Sequence, residues 1–314
     1  MLNCLLCNSD SLSPIAVVDS HLIAKKYKKY YDADVSYLFN TEAIELIKCN
    51  NCDLRFFTPL VSGDEYFYKV LQKSTNYYRE SKEEYLFAGE IIKKGNIILD
   101  VGCGNGTFKK FVPGCDFTGL EFSPDAIEAG IKNGVNILNE SIQGHAVLNK
   151  NKYDFVTAFQ VLEHVTEVAT FIKSCADCVK PGGHLIVAVP SEESYLHFSV
   201  NSILNMPPHH ISRWTDSALQ FIASLINFEF VQIYHDSMDP LHLNAFFTLL
   251  IERSLPFRTS TDTKLIDDSI NYKIRYRIAS ILANNIIKKS THHAWVGKGQ
   301  NVTAIFKKPV NQIL

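Results

Sequence analysis

The sequence lacks a strong net charge, a long apolar run and internal repeats. Its 314 residues carry a formal net charge of −2, so no overall basic field draws the chain to nucleic acid. The first residues do not read as a signal peptide, and no apolar run is long enough to span a membrane. Only eight cysteines are present, which argues against a disulfide framework. We therefore expect a protein of the reducing cytoplasm.

Charge is nevertheless uneven along the chain. Residues 251–314 carry a net charge of +7, and isoleucines at helical spacing fall in the same region. A packed amphipathic helix with a solvated basic face is the simpler interpretation. The alternative is that Arg275, Arg277 or nearby lysines meet a diphosphate or an acidic glycan, because the guanidinium fork matches phosphate oxygens. The predicted stripe consists of Ile266, Ile270, Ile274, Ile278 and Ile281.

The most informative segment is ILDVGCGNGTF, residues 98–108. It reads as an apolar strand that ends near Asp100 and turns through Gly102, Gly104 and Gly106. Glycine suits such a turn because the backbone needs unusual φ and ψ and because a ligand must approach closely. A dinucleotide fingerprint needs glycine where this chain has Thr107, so the spacing is not that of a pyrophosphate site.

Two further strands carry polar residues where they end. The first ends at Glu121 and runs into a helix capped by Ser123, and a carboxylate there can accept both hydroxyls of a ribose. The second, near residues 153–165, exposes Gln160 and is followed by a turn that holds Glu163 and His164. Strands that alternate with helices and are continuously apolar predict a doubly wound, mostly parallel sheet covered on both faces. Ligands bind at the carboxyl ends of such strands.

These motifs resemble the class I S-adenosylmethionine-dependent methyltransferases over about residues 80–235. The resemblance implies a Rossmann-like sheet of seven strands, a glycine run that contacts the methionine end of the cofactor, Glu121 at the ribose, and Ser141 with Ile142 at the adenine. The cofactor-binding residues expected on this basis are Asp100, Gly102, Cys103, Gly104, Gly106, Glu121, Phe122, Ser141, Ile142 and Gln160.

A second pattern lies at the amino end, where Cys4-x-x-Cys7 and Cys49-x-x-Cys52 have the spacing of a tetrahedral Cys₄ site. Four thiolates leave no open coordination position, so a Zn²⁺ held there is structural. The alternative is four unrelated buried thiols. A third C-x-x-C pair, at residues 175 and 178, lies within a predicted helix and is better explained by core packing.

The segment NMPPHHISRWT follows the fifth strand of the predicted core. Its two histidines, His209 and His210, are candidates for acid/base chemistry because imidazole titrates near neutral pH, and His164 is a weaker candidate. The alternative is a turn that packs a lid and caps the helix that begins near Thr215.

A Cys₄ module ahead of a class I methyltransferase resembles the sugar-modifying enzymes of deoxysugar and surface-polysaccharide pathways. In the nucleotide-sugar C-methyltransferases of that group an E-H-F segment supplies the base, and the matching letters here are H-H-I, which places His210 on the base. We therefore expect a small-molecule sugar or glycan acceptor. The alternatives are a tRNA, protein, quinone or lipid acceptor, or a binding protein that has lost catalysis.

Three regions are predicted. Residues 1–60 form the zinc module, residues 61–95 a helical connection, and residues 96–314 the methyltransferase core with a helical insertion at about 240–298. The last strand, NVTAIFKK, is expected to return antiparallel along the edge of the sheet.

Overall fold

A computed structural model describes residues 2–74, 81–255, 264–289 and 297–310, which form two β-sheets with flanking helices. The strands are β1 (Leu12–Asp19), β2 (Ala43–Cys49), β3 (Arg55–Thr58), β4 (Ile97–Val101), β5 (Asp116–Leu120), β6 (Asn136–Leu138), β7 (Tyr153–Phe159), β8 (Val179–Pro190), β9 (Ser212–Arg213), β10 (Glu229–His235) and β11 (Asn301–Lys307). The helices are α1 (Ser20–Tyr31), α2 (Glu65–Ser74), α3 (Glu83–Ile91), α4 (Pro124–Lys132), α5 (Ile142–Leu148), α6 (Val168–Cys178), α7 (Asp216–Ile226), α8 (Leu243–Ser254) and α9 (Ile270–Lys289). No helix in these ranges is long and apolar enough to cross a membrane.

The larger sheet has the strand order β10-β11-β8-β7-β4-β5-β6, and the pairs among β8, β7, β4, β5 and β6 are parallel. Neighbouring residues of β4 enter different apolar clusters, Leu99 with α6 and α7 on one side and Ile98 with α3 on the other. Both faces are therefore buried, as the continuously apolar strands predict. The predicted doubly wound, mostly parallel sheet of seven strands is confirmed.

The last strand departs from its expected position. β11 is antiparallel as predicted, but it lies between β10 and β8 rather than at the edge. Its five central residues are all buried, so both of its faces are covered, whereas β10 is partly exposed along its length. The prediction of an antiparallel edge strand was therefore wrong in its position, because the largely apolar sequence VTAIF favours an internal place that covers both of its faces.

The smaller sheet is antiparallel in the order β1-β2-β3-β9. Its fourth strand comes from far along the chain, and Arg213 pairs with Arg55 while Ser212 pairs with Phe56. Cys49 and Leu54 also belong to the apolar cluster that contains Leu99 and Leu219 of the large sheet and its helices. The amino-terminal segment thus packs directly on the core. The boundaries at residues 60 and 95 stay predictions.

The isoleucine stripe does not form the packed face that its spacing predicts. Ile270, Ile274, Ile278 and Ile281 are 76%, 55%, 46% and 57% exposed, and Ile266 is buried but precedes the helix. An ion pair and the apolar side chains of Ala283 and Ile287 form the contact with α8 instead. Nε and Nη2 of Arg275 both lie 2.9 Å from Oε1 of Glu252, so Arg275 is committed to that contact rather than to a phosphate. The buried side chains of α9 are Tyr272, Arg275, Ala279 and Ala283.

Candidate active site

The glycine turn follows β4 directly. Gly102, Gly104 and Gly106 have φ of 70°, 56° and 73°, the left-handed region that favours glycine. A Cβ at Gly102 would lie 2.5 Å from the side chain of Val161, and one at Gly106 would lie 2.7 Å from Val135. These two glycines are therefore required by the protein's own packing as well as by φ. The N–H groups of Gly102 and Cys103 donate to the carbonyl of Leu120.

Asp100 lies beneath this turn rather than in it. Its side chain is buried and accepts a hydrogen bond of 2.7 Å from the hydroxyl of Thr157. Burial raises the pKa of Asp100 to about 7. The carboxyl group therefore supports the end of β4 from within the sheet.

Glu121 immediately follows β5 and ties the two strand ends together. Its Oε2 accepts the N–H of Gly104 at 2.9 Å, and its Oε1 accepts the N–H groups of Phe122 and Ser123 at 2.8 and 2.9 Å. Phe122 is 65% exposed. Ser123 caps α4 as predicted, accepting from the N–H of Ala126. Oε1 already accepts two hydrogen bonds and Oε2 one, so the remaining acceptor site for a ligand hydroxyl lies on Oε2.

The predicted adenine residues lie at the start of α5. Ser141 is its N-cap and accepts the N–H of Gly144 at 3.1 Å, while Ile142 is buried. Gln160 follows β7 with a φ of 58°, and its Nε2 lies 3.3 Å from Oε1 of the buried Glu84.

One cavity of about 1650 Å³ joins these strand ends to the histidines. Three of the predicted cofactor residues do not line the cavity and lie behind its wall: Asp100, Gly106 and Ser141. All three predicted catalytic histidines line it, together with Tyr68 and Glu163. The predicted cofactor residues in the wall are Gly102, Cys103, Gly104, Glu121, Phe122, Ile142 and Gln160.

The structure brings His164, His209 and His210 together as one group, named here the histidine cluster. The rings of His209 and His210 are stacked with centroids 4.5 Å apart, and the ring of His164 lies 4.7 and 5.0 Å from them. His164 ends the short 3₁₀ helix Leu162–His164 that follows β7, so the group joins segments distant in sequence. Thr215 itself caps α7, so the histidine turn does not cap that helix, whereas the packing role that was its other half stays a prediction.

Burial sets the charge of the histidine cluster. It lowers the pKa of His164 to about 4 and that of His209 to about 3, and it holds the pKa of His210 well below its ordinary value. All three rings are therefore neutral near pH 7. Glu163, also buried, has its pKa raised to about 8 by the same desolvation.

Four cysteine sulfurs gather at the amino end, all within 4.8 Å of one another. The Sγ atoms of Cys4 and Cys52 are 3.5 Å apart, as are those of Cys7 and Cys49. Tetrahedral Zn–S bonds of about 2.3 Å place sulfurs about 3.8 Å apart, so the four residues fit a metal ion.

The two cysteine turns are built alike. In each, the carbonyl of the first cysteine accepts an N–H from the residue four positions on, Asn8 or Asp53, and that residue has a positive φ. A hydrogen bond from Cys52 lowers the pKa of Cys4 to about 5. Thiolate is the form that ligates metal.

The amino-terminal sheet reaches the histidine cluster through a short series of contacts. Arg213 of β9 donates from Nη2 to the carbonyl of Asn205 at 2.8 Å, and Oδ1 of Asn205 lies 3.1 Å from Nδ1 of His210. Glu192 lies 3.5 Å from Arg213 and 3.6 Å from Arg55 of β3. A continuous series of polar contacts therefore links β3 to His210.

Sequence reasoning missed several residues that line the cavity. Tyr68 lies 3.3 Å from Nδ1 of His164, and burial raises its pKa. Asp236, just after β10, is buried and its pKa is raised to about 7. Neither residue belongs to a motif. The sequence EYFYK at the start of α2 is rich in aromatic residues around Tyr68, whereas nothing local marks Asp236.

Comparison with known proteins agrees with this geometry. The methyltransferase domain family matches residues 74–233, about half of the chain, and the chain belongs to that family. The crystal structure of an S-adenosylmethionine-dependent methyltransferase from Archaeoglobus fulgidus has the same fold, with a TM-score of 0.50 at 17% identity, covering 77% of this chain and 100% of that chain. The chain therefore contains a methyltransferase domain with that fold.

Two relatives share part of the sequence. The ubiquinone biosynthesis O-methyltransferase of Serratia proteamaculans (strain 568) is 37% identical over 106 residues, covering 31% of this chain and 43% of that protein. The protein of the same name from Proteus mirabilis (strain HI4320) is 31% identical over 140 residues, covering 41% of this chain and 56% of that protein. The chain spans about half the length of these relatives.

Proposed function

We propose that the chain methylates a hydroxyl oxygen on a small quinone-type or phenolic ring. The observation that carries this is the single cavity in which the glycine turn and the histidine cluster face a common space. The relatives named as ubiquinone biosynthesis O-methyltransferases support the acceptor class. They give no support to the sugar or glycan acceptor that the sequence favoured, and the quinone alternative is the better supported of the two.

The cofactor would lie along the strand ends. The turn from Gly102 to Gly104 would hold its methionine end, Glu121 would accept its ribose hydroxyls, and Ile142 would pack against its adenine. When bound, S-adenosylmethionine would supply the methyl group: the bond from carbon to the acceptor oxygen would form as the C–S bond breaks, the bonding electrons would stay on sulfur, and the hydroxyl proton would pass to the histidine cluster or to water. Asp100, Gly106 and Ser141 would act from behind the wall, by holding the turn and α5 in place.

His210 is the residue to which we assign acid/base or acceptor-orienting work, with His209 and His164 beside it. A neutral imidazole accepts a hydrogen bond from a hydroxyl, and burial keeps these rings neutral near pH 7. Positioning the acceptor oxygen in a closed site supplies much of the rate of a direct displacement.

A panel of acceptors tests this proposal. The protein is incubated with isotope-labelled S-adenosylmethionine and either catechols and hydroquinones or nucleotide sugars, and mass spectrometry locates the methyl group. We expect O-methylated phenols from the wild type and none from Gly104→Val. Labelled sugar without labelled phenol would restore the acceptor class that the sequence favoured, and no labelled product of either kind would contradict both.

We also propose that Cys4, Cys7, Cys49 and Cys52 bind one structural Zn²⁺, which implies a compartment that keeps thiols reduced, such as the cytoplasm. Elemental analysis of Cys49→Ser should find one zinc per chain fewer than in the wild type. The control is Cys115→Ser, a half-buried cysteine outside the cluster, which should keep that zinc. Equal zinc in both variants would remove the site. Residues 1–60 of Cys49→Ser should also become protease-sensitive.

A further inference from the structure

The histidine cluster has a hydrogen-bonding pattern that a set of packing residues does not need. Nδ1 of His164 lies 2.5 Å from the carbonyl oxygen of His209, and Nδ1 of His209 lies 2.9 Å from the carbonyl oxygen of Leu204. A carbonyl oxygen only accepts, so in both rings Nδ1 carries the proton. Nδ1 of His210 points in the same way at Oδ1 of Asn205, 3.1 Å away. One tautomer, with the proton on Nδ1, is therefore set in all three rings.

That tautomer leaves a lone pair on Nε2 of each ring. Imidazole ligands of metal ions show the same arrangement, since one nitrogen binds the metal while the other donates to a carbonyl or amide oxygen that fixes the ring. Asn205, which orients His210, is itself held by Arg213 through its backbone carbonyl. The residue that orients His210 is thus itself held by hydrogen bonds.

The spacing of the rings also suits a shared ion. One ring nitrogen of each histidine lies within 4.8 Å of those of the other two. Zn–N bonds of about 2.0–2.1 Å in a tetrahedral site set the nitrogens about 3.4 Å apart. Small rotations of the rings would bring the three nitrogens to that spacing.

We propose that His164, His209 and His210 bind one divalent metal ion of the zinc class, with a fourth coordination position open to the cavity. Three imidazole nitrogens without a thiolate select zinc and its neighbours over Mg²⁺ or Ca²⁺. Three protein ligands with an open position are the arrangement of zinc sites that take a substrate oxygen. The ligand of that open position is the acceptor hydroxyl, and this part alone rests on the proposed function.

Cobalt is the probe, because its spectrum separates the two metal sites. Apoprotein is titrated with Co²⁺ while the visible spectrum and the bound metal are recorded. The four cysteines give sulfur-to-cobalt charge-transfer bands, whereas a nitrogen site adds d–d absorption without them. We expect two equivalents in the wild type, of which His210→Asn loses only the one without sulfur bands. His184→Asn, a histidine near the opposite end of the sheet, is the matched control and should keep both.

Two further variants keep the test decisive if His210→Asn folds poorly. His164→Asn, on the more exposed ring, should lose the same equivalent. Asn205→Ala removes only the side-chain contact to Nδ1 of His210 and should lower the affinity for that equivalent of Co²⁺ about 10- to 100-fold. S-adenosylhomocysteine binding by each variant shows that the core is folded. If His210→Asn and His164→Asn bind as many equivalents of Co²⁺ as the wild type, the site does not exist.

The outcome also separates this site from the proposed function. A second equivalent that is lost in the histidine variants, without any methylated phenol, supports the metal and contradicts the acceptor. Methylated phenol at an unchanged rate from protein stripped of that equivalent supports the acceptor and overturns the binding of the acceptor hydroxyl to the metal.

Discussion

The two ends of the cavity are built in different ways. The cofactor end is made from short contiguous segments, in which Gly102 to Gly106 follow β4 and Glu121 follows β5. The acceptor end is assembled from residues far apart in the chain, with Tyr68 in α2, His164 after β7 and His210 beside β9. Chemistry at the first end is set by local backbone conformation, whereas at the second it is set by tertiary contacts.

This difference separates what can fail at each end. A substitution in the glycine turn changes the backbone conformation there, or the hydrogen bond between the turn and Glu121, and should leave the histidine cluster in place. A change in β3 reaches the acceptor end through Arg213 and Asn205. We therefore expect cofactor affinity and turnover to be separable by mutation.

The largest effect is expected from Gly104→Val, which breaks the cofactor end alone. Valine is strongly disfavoured at a φ of 56°, and its side chain would enter the turn that donates an N–H to Glu121. Calorimetry should find no binding of S-adenosylhomocysteine. Gly134→Val is the control, because Gly134 has a φ of 72° with open space around its Cβ position and lies outside the cavity. If both variants lose binding equally, general destabilisation rather than the turn is responsible.

The next effect is expected at the other end, from His210→Asn. Loss of acid/base or acceptor-orienting help should lower kcat about 10²- to 10⁴-fold while the Kd of the cofactor stays nearly unchanged. Turnover is measured from pH 6 to 9 once an acceptor is known, with His184→Asn as control. Unchanged turnover across that range would make His210 a packing residue. A variant that loses cofactor binding together with turnover would show that the two ends of the cavity depend on each other.

The same difference decides how much the sequence could predict. The strands around ILDVGCGNGTF, the position of Glu121 after β5 and the cap at Ser123 follow from apolar runs and turn chemistry that a short window contains. The two C-x-x-C turns are equally local. These features were predicted at their residues because each is decided by neighbours in sequence.

Other features depend on contacts between distant segments. Nothing near Ser212 and Arg213 indicates that they complete the amino-terminal sheet, since a two-residue strand has no pattern of its own. The stripe on α9 has helical spacing but faces outward, because the pair of Arg275 with Glu252 and the apolar contacts beside it decide which side meets α8. Asp236 reaches the cavity only because β11 inserts beside β10.

A third effect concerns stability at the cofactor end. Because the pKa of Asp100 is raised to about 7 in the fold, the folded protein binds that proton more tightly than the unfolded chain. Its contribution is complete below about pH 4 and is lost as the pH rises through 7, up to about 4 kcal/mol. Asp100→Asn keeps a partner for Thr157 and cannot titrate, so its unfolding free energy should lack this fall. Urea unfolding from pH 4 to 8 measures it, with Asp116→Asn as an exposed control, and equal pH profiles would show that Asp100 is ionised in the fold.

The smallest effect is expected from Arg55→Met, which tests whether β3 positions the acceptor end. Arg55 lies 3.6 Å from Glu192 and 3.0 Å from His197, and Glu192 keeps Arg213 when Arg55 is lost. A small displacement of Arg213 should move Asn205 and His210 by less than the roughly 1 Å that costs about 100-fold, so kcat should fall up to about tenfold. The Kd for S-adenosylhomocysteine should not change. Lys28→Met, an exposed cation on α1 paired with Asp32, is the control. Equal kcat in both variants would show that β9 holds the histidines without help from β3, whereas a raised Kd would mean that the amino-terminal sheet supports the cofactor end as well.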